Sequence, residues 1–132
     1  MIFSHREFIE KKLAWYKTIR RCYCPALKTE VIFNSKGFRH LLYDGQGRPR
    51  STSERNHRLS LLPLVVPVLK KAKNISEYRG PKYYELLDKF AEYWMFQEAV
   101  GEKDIKVTVI LRRIGNGSII FYSVWQRRDK KN

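Results

Sequence analysis

The stretch VTVILRRIGNGSIIFYSVW, residues 107–125, decides the fold. Runs rich in β-branched and aromatic residues, Ile105 to Ile114 and Ile119 to Trp125, flank Gly115, Asn116, Gly117 and Ser118. A Gly/Asn-rich tetrapeptide between two such runs signals a β-hairpin, because glycine and asparagine accept the positive φ angles of tight turns. If Ile114 pairs with Ile119, Ile110 falls opposite Ser123 and Arg112 opposite Phe121. Side chains alternate between the faces of a strand, so Arg112, Ser123 and Trp125 share one face. The other face receives Val107, Val109, Leu111, Tyr122 and Val124, an apolar surface suited to packing on helices. Phe90 to Val100 reads as a third strand, completing an antiparallel meander. Before it, Tyr78 to Pro81 reads as a turn or edge strand and Tyr83 to Leu87 as a brief helical turn.

Upstream the period changes from strand to helix. Arg6 to Arg21 places Phe8, Ile9, Leu13, Trp15, Tyr16 and Ile19 at helical spacing, and Pro25 bounds that helix. Glu30 to Phe33 is a short extended piece. Asn34 or Ser35 then caps a second helix running to about Tyr43, with Phe38, Leu41 and Leu42 inward and His40 near the edge of the apolar face. Asp44 to Pro49 is a loop by its turn chemistry. Ser53 is the expected cap of a third helix, from which Arg55 and Arg58 project on one side while Leu59, Leu62 and Val66 take the other. Pro63 and Pro67 remove backbone donors, so this helix kinks and restarts. The expected class is α+β, with N-terminal helices packed on a C-terminal antiparallel meander. One domain spans residues 1–132: an N-terminal helix in 1–30, a helical region with the histidine and arginines in 31–73, the sheet in 74–125 and a basic tail in 126–132.

A hydrophobic fraction of 43% is enough to fill a core, and the net charge of +14 with a pI near 10.0 exceeds what solubility requires. A polyanion is the expected partner, with nucleic acid the first choice. The excess is dense between Phe33 and Leu62, where His40 stands among Arg39, Arg48, Arg50, Arg55 and Arg58. Arg127, Arg128, Lys130 and Lys131 read as a solvated end. No lipidation signal or basic amphipathic helix favours an anionic membrane, and no apolar run approaches a spanning length. Cys22 and Cys24, one residue apart, are poorly placed for a mutual disulfide and cannot complete a zinc site; packed thiols in a reducing cytoplasm fit them best. The acids are scattered, so neither a metal nor another cofactor is expected.

A positioned imidazole can move a proton, guanidinium forks hold phosphoryl oxygens, and a hydroxyl adds a hydrogen bond. The motifs "GFRHLL", "GRPRSTSERNHRLSLLP", "VILRRIGNG" and "FYSVW", taken in that order behind the helices-then-meander plan, resemble the phage-type branch of the barnase, EndoU, colicin and RelE-like (BECR) ribonuclease superfamily. The resemblance covers roughly Val31 to Trp125. It implies a metal-independent, often toxin-like endoribonuclease with its active site on the open face of the sheet, an RNA substrate and an acidic antitoxin or immunity protein as partner. Transferred by position, it implies a proton-transfer role for His40, phosphate-binding roles for Arg58 and Arg112, and a hydroxyl contribution from Ser123. Arg39, Arg48, Arg50, Arg55, His57 and Trp125 are the expected RNA-binding residues, and His57 is also the only neighbour able to supply a second imidazole. The chain departs from the superfamily in lacking a second catalytic histidine on the sheet and a clear general-base glutamate. Tyr93, Trp94, Phe121 and Trp125 are candidates for stacking an unpaired base. The competing class is a non-catalytic RNA- or DNA-binding module using the same arginines only to neutralise phosphates. An antitoxin-like regulator fits less well, because no helix-turn-helix is visible.

Overall fold

The computed structural model describes residues 4–126; the expected basic tail, except Gln126, lies outside the described residues. Helix α1 (His5–Tyr16) is capped by Ser4, whose hydroxyl accepts the Glu7 amide. It ends sooner than its apolar spacing predicts. The Thr18 hydroxyl bonds back to the Trp15 carbonyl, and Arg20 takes a left-handed φ of 59°, turning the chain into strand β1 (Arg21–Cys24). Cys22 and Cys24 both point inward from β1 as buried free thiols. Strand β2 (Thr29–Ile32) returns antiparallel to β1 and corresponds to the extended piece expected at Glu30 to Phe33.

Helix α2 (Ser35–Leu42) begins under the Asn34 side chain, which accepts the Lys36 and Gly37 amides. The cap of α3 (Thr52–Ser60) is Ser51 rather than Ser53, and its hydroxyl accepts the Glu54 amide. A 3-10 turn at Leu62–Leu64 carries the chain past Pro63 into α4 (Val65–Lys71), the interruption the prolines predict. Strands β3 (Glu77–Tyr84), β4 (Lys89–Val100), β5 (Ile105–Ile114) and β6 (Ile120–Gln126) form the antiparallel meander. The segment from Tyr83 thus belongs first to an edge strand and only then to a turn.

The strands form one six-stranded sheet in the order β1-β2-β6-β5-β4-β3. It is mixed, not purely antiparallel, because β2 meets β6 in parallel through one pair, Ile32 with Ile120. Val65, Val68 and Leu69 of α4 are fully buried and α4 packs on β1, β4 and β5. Val107, Val109, Leu111, Phe121 and Val124 are buried in the same core. At one end Tyr16, Phe33, Phe38 and Phe121 cluster, with Phe33 stacked on Phe121 at 5.3 Å, and the Tyr16 hydroxyl donates to the Asn34 carbonyl at 2.7 Å. Burial of that phenol raises its pKa and keeps it a donor.

Helix α2 reaches β6 through Gly37. A Cβ there would lie 2.3 Å from the Phe121 carbonyl oxygen, a backbone atom held in the sheet. Gly37→Ala gains about 1 kcal/mol of helix propensity, yet the clash dominates, since overpacking of this kind typically costs about 1–3 kcal/mol or more. We expect a melting temperature lower by about 5 °C or more by calorimetry; an unchanged or higher value would contradict the close approach.

The hairpin register agrees with expectation at Ile110–Ser123 but not beyond it. Leu111 pairs with Phe121 and Arg112 with Ile120, so Tyr122 is an extra residue, a β-bulge. The bulge lifts Tyr122 out of the expected core face. Its ring lies with Arg112, Tyr93 and His40 on the face opposite α4. The expected pair of Ile114 with Ile119 is not formed, because the β5–β6 ladder ends at Arg112 with Ile120.

Candidate functional site

Buried Phe38 and Leu41 fix α2, which presents half-buried His40 to the open face of the sheet. The imidazole lies against the Tyr122 ring, with centroids 3.9 Å apart. The chain after α2 folds back so that Arg50 Nε donates to the His40 carbonyl at 3.0 Å. From α3, Arg58 Nη1 donates to Ser123 Oγ at 2.6 Å while its Nε donates to Glu54 Oε1 at 2.7 Å. The Arg58 side chain is 13% exposed, so this bidentate use of a guanidinium is well shielded. From β5, the Arg112 guanidinium sits 4.3 Å from the centre of the Tyr122 ring. Two helices, a loop and two strands therefore converge on one place. A cavity of about 260 Å³ opens there, lined in part by His40, Arg112, Tyr122, Lys36 and Arg39.

The local field is strongly positive. Burial, with Arg50, Arg58 and Arg112 acting in the same direction against a pull from Asp44, brings the His40 pKa down to about 4. The imidazole is therefore uncharged at neutral pH and able to accept a proton. Arg58 holds the Glu54 carboxyl below its usual range through their hydrogen bond. Asp44 turns to Arg48 and to the Gln46 and Arg48 amides. Among the described residues, neither Arg50 nor Arg112 forms an ion pair, and both Nδ1 of His40 and Nε of Arg112 are buried without a hydrogen-bond partner. Buried polar atoms left unmatched cost stability, and Arg112 is only 9% exposed. Such a cluster is arranged for an anion.

The other expected residues divide. Arg39 lies over the Tyr43 ring at 4.4 Å, and Arg55 lies over it at 5.2 Å while donating to the Leu42 carbonyl; both sit on the rim. Arg48 is spent on its own loop through Asp44, with its side chain 72% exposed, and does not join the cluster. His57 accepts the Gln126 amide through Nε2 and borders a second cavity with Glu54, Arg58 and Trp125, so it stands beside Arg58 and away from His40. Trp125 lies 5.7 Å from the Arg58 guanidinium. Among the aromatic candidates, Phe121 is fully buried in the core and unable to meet a base, and Trp94 is buried between Tyr78 and Arg113.

Sequence reasoning missed Tyr122, which touches both His40 and Arg112, because an unannounced bulge inverts its side. It also missed Glu54, although the spacing of four residues to Arg58 on one helix was a legible signal. Lys36, one turn before His40, is the third omission.

Comparison with protein-family models, with curated proteins and with solved structures finds no match to this chain. Among the described residues no group of three or more His, Cys, Asp or Glu side chains is placed to hold a metal ion, and no helix is long and apolar enough to cross a membrane.

Proposed function

We propose that this protein is a metal-independent endoribonuclease that cleaves RNA by transesterification, a BECR-like enzyme of toxin type acting in the cytoplasm. The observation that carries the reading is the convergence of the half-buried His40 imidazole with Arg50, Arg58 and Arg112, with His40 Nδ1 and Arg112 Nε both buried and without hydrogen-bond partners. A scissile phosphate supplies the acceptor that the Arg112 guanidinium lacks. His40 takes the proton of the 2′-hydroxyl, whose oxygen then attacks the adjacent phosphorus. The bond to the 5′-oxygen breaks, that oxygen takes up a proton, and a 2′,3′-cyclic phosphate remains. Negative charge grows on the nonbridging oxygens, where preorganised guanidiniums stabilise the transition state more than the ground state. Ser123 fixes the Arg58 fork by accepting its Nη1 proton, and Glu54 fixes the other side. In the toxin-like setting an acidic protein covers the cationic face, and charge steering makes that association fast and salt-sensitive.

RNA cut by the purified protein in EDTA is expected to end in cyclic or 3′-phosphate, and a 2′-deoxy residue at the scissile position is expected to block cutting. Mapping of product ends checks both. Cleavage of the deoxy substrate overturns the mechanism, and tight RNA binding without cleavage under any condition identifies a non-catalytic binding module.

A further inference from the structure

Beside the cationic cluster, on the same open face, lies a cavity of about 400 Å³ whose floor is Met95 and Ile110 and whose walls include Tyr84, Tyr93, Tyr122 and Trp125. We infer that this aromatic cavity is a subsite for one unpaired nucleobase, which makes single-stranded RNA the substrate of the cleavage reaction proposed above.

Tyr93 packs edge-to-face on Tyr84 at 5.9 Å and on Tyr122 at 5.7 Å, so the three rings form one continuous aromatic border of the cavity. Tyr122 is the shared wall. One part of its ring borders the cavity while the same ring contacts His40 at 3.9 Å and the Arg112 guanidinium at 4.3 Å. A base held here would lie across the Tyr122 ring from His40 and Arg112, the groups that would meet its phosphate.

The occupant follows from the surroundings. The volume falls within the ~300–1,000 Å³ of small-ligand pockets, and the chain's charge of +14 selects polyanions. At the rim Glu77 and Arg79 are paired with each other at 3.0 Å, and the exposed pair borders the cavity mouth. A paired base cannot use this site. Its faces are covered by neighbours in the stack, and exposing one in a duplex costs unstacking and unpairing. On the far side of Arg112 a further cavity of about 470 Å³ includes Lys36 and Lys89, and it shares both Lys36 and Arg112 with the His40 cavity. The aromatic cavity borders the His40 cavity at Tyr122, and that cavity borders the lysine-containing one at Lys36 and Arg112, so sites for a base and for phosphates lie side by side.

The test is equilibrium binding of a short single strand with 2′-O-methyl riboses, which cannot be cut by transesterification, to the full chain. Bases are removed one position at a time, and the same strand is also offered as a duplex. One abasic position is expected to weaken binding by about tenfold or more, the worth of a base stacked on aromatic rings. That positional penalty is expected to vanish in Tyr93→Ala, with Trp125→Ala as a second variant should the first misfold. Abasic effects that are equal at every position, a duplex bound as well as the single strand, or no binding of the single strand overturns the subsite. If the positional penalty is present but the matching all-ribose strand is never cleaved, the subsite stands and the endonuclease reading falls.

Discussion

Replacing His40 by Ala is expected to lower the single-turnover rate of RNA cleavage by about 100-fold or more while RNA affinity stays within a few-fold, because proton transfer matters mainly in the transition state. The pH dependence carries the same signature. The folded protein holds His40 at a pKa of about 4, below the ordinary value of 6.5, so the unfolded chain binds the proton first as pH falls. Stability held by the neutral imidazole is fully present above about pH 6.5 and is lost as pH drops to about 4. The parent should therefore lose more stability across that window than His40→Ala, measured as the difference in denaturant midpoint at each pH. The kcat/KM of the parent should fall as acid protonates the free enzyme through about pH 4. A folded His40→Ala protein that cuts RNA at the parent rate makes His40 a structural histidine and removes the active site assigned here.

Arg112→Ala is expected to reduce cleavage by about 100- to 1,000-fold, the usual cost of losing a preorganised donor to a developing oxyanion, and to weaken RNA binding as well. Its effect on the fold points the other way. Arg112 is buried, forms no ion pair among the described residues and has an Nε without a partner, so the stack on Tyr122 is its main support there. Removing a poorly compensated buried cation relieves a desolvation cost, and the melting temperature should hold or rise while activity collapses. Arg112→Lys should not restore activity, since an ammonium reproduces neither the planar fork nor its stacking on the tyrosine ring. A large loss of stability in Arg112→Ala, with activity per folded molecule unchanged, would make the arginine a packing element.

The parts of the site set by local chemistry were legible in the chain. Alternation and the Gly115–Ser118 turn gave strand β5 its observed limits and put Ile110 opposite Ser123. Asn34 and the apolar spacing after it located α2 and left His40 at the margin of its buried face. What escaped was non-local or lacked a residue signature. A bulge adds one residue without requiring a glycine or proline, so strict alternation sent Tyr122 to the wrong side. Strand β1 is only four residues long and continues an apolar pattern that also suits a helix, and the left-handed turn at Arg20 that separates them is borne by a residue with no preference for it. The parallel contact of β2 with β6 joins Ile32 to Ile120, residues far apart in the chain, through a single pair that periodicity cannot announce. Charge density drew attention to residues 39–58, but it ranked Arg48 with Arg50, and only the loop closure onto Asp44 separates them.

The single rung between β2 and β6 has a bearing on how the protein survives in crowded solution. Past Ile120, β6 is contacted by α2 and α3 rather than by a longer neighbouring strand, and the His57 ring accepts the Gln126 amide as a strand partner would. The helices that carry His40 and Arg58 therefore double as the cover of a strand that would otherwise present a template for edge-to-edge association. Loosening them would uncover that template, so changes to the residues that set the candidate site also bear on the protein's freedom from aggregation.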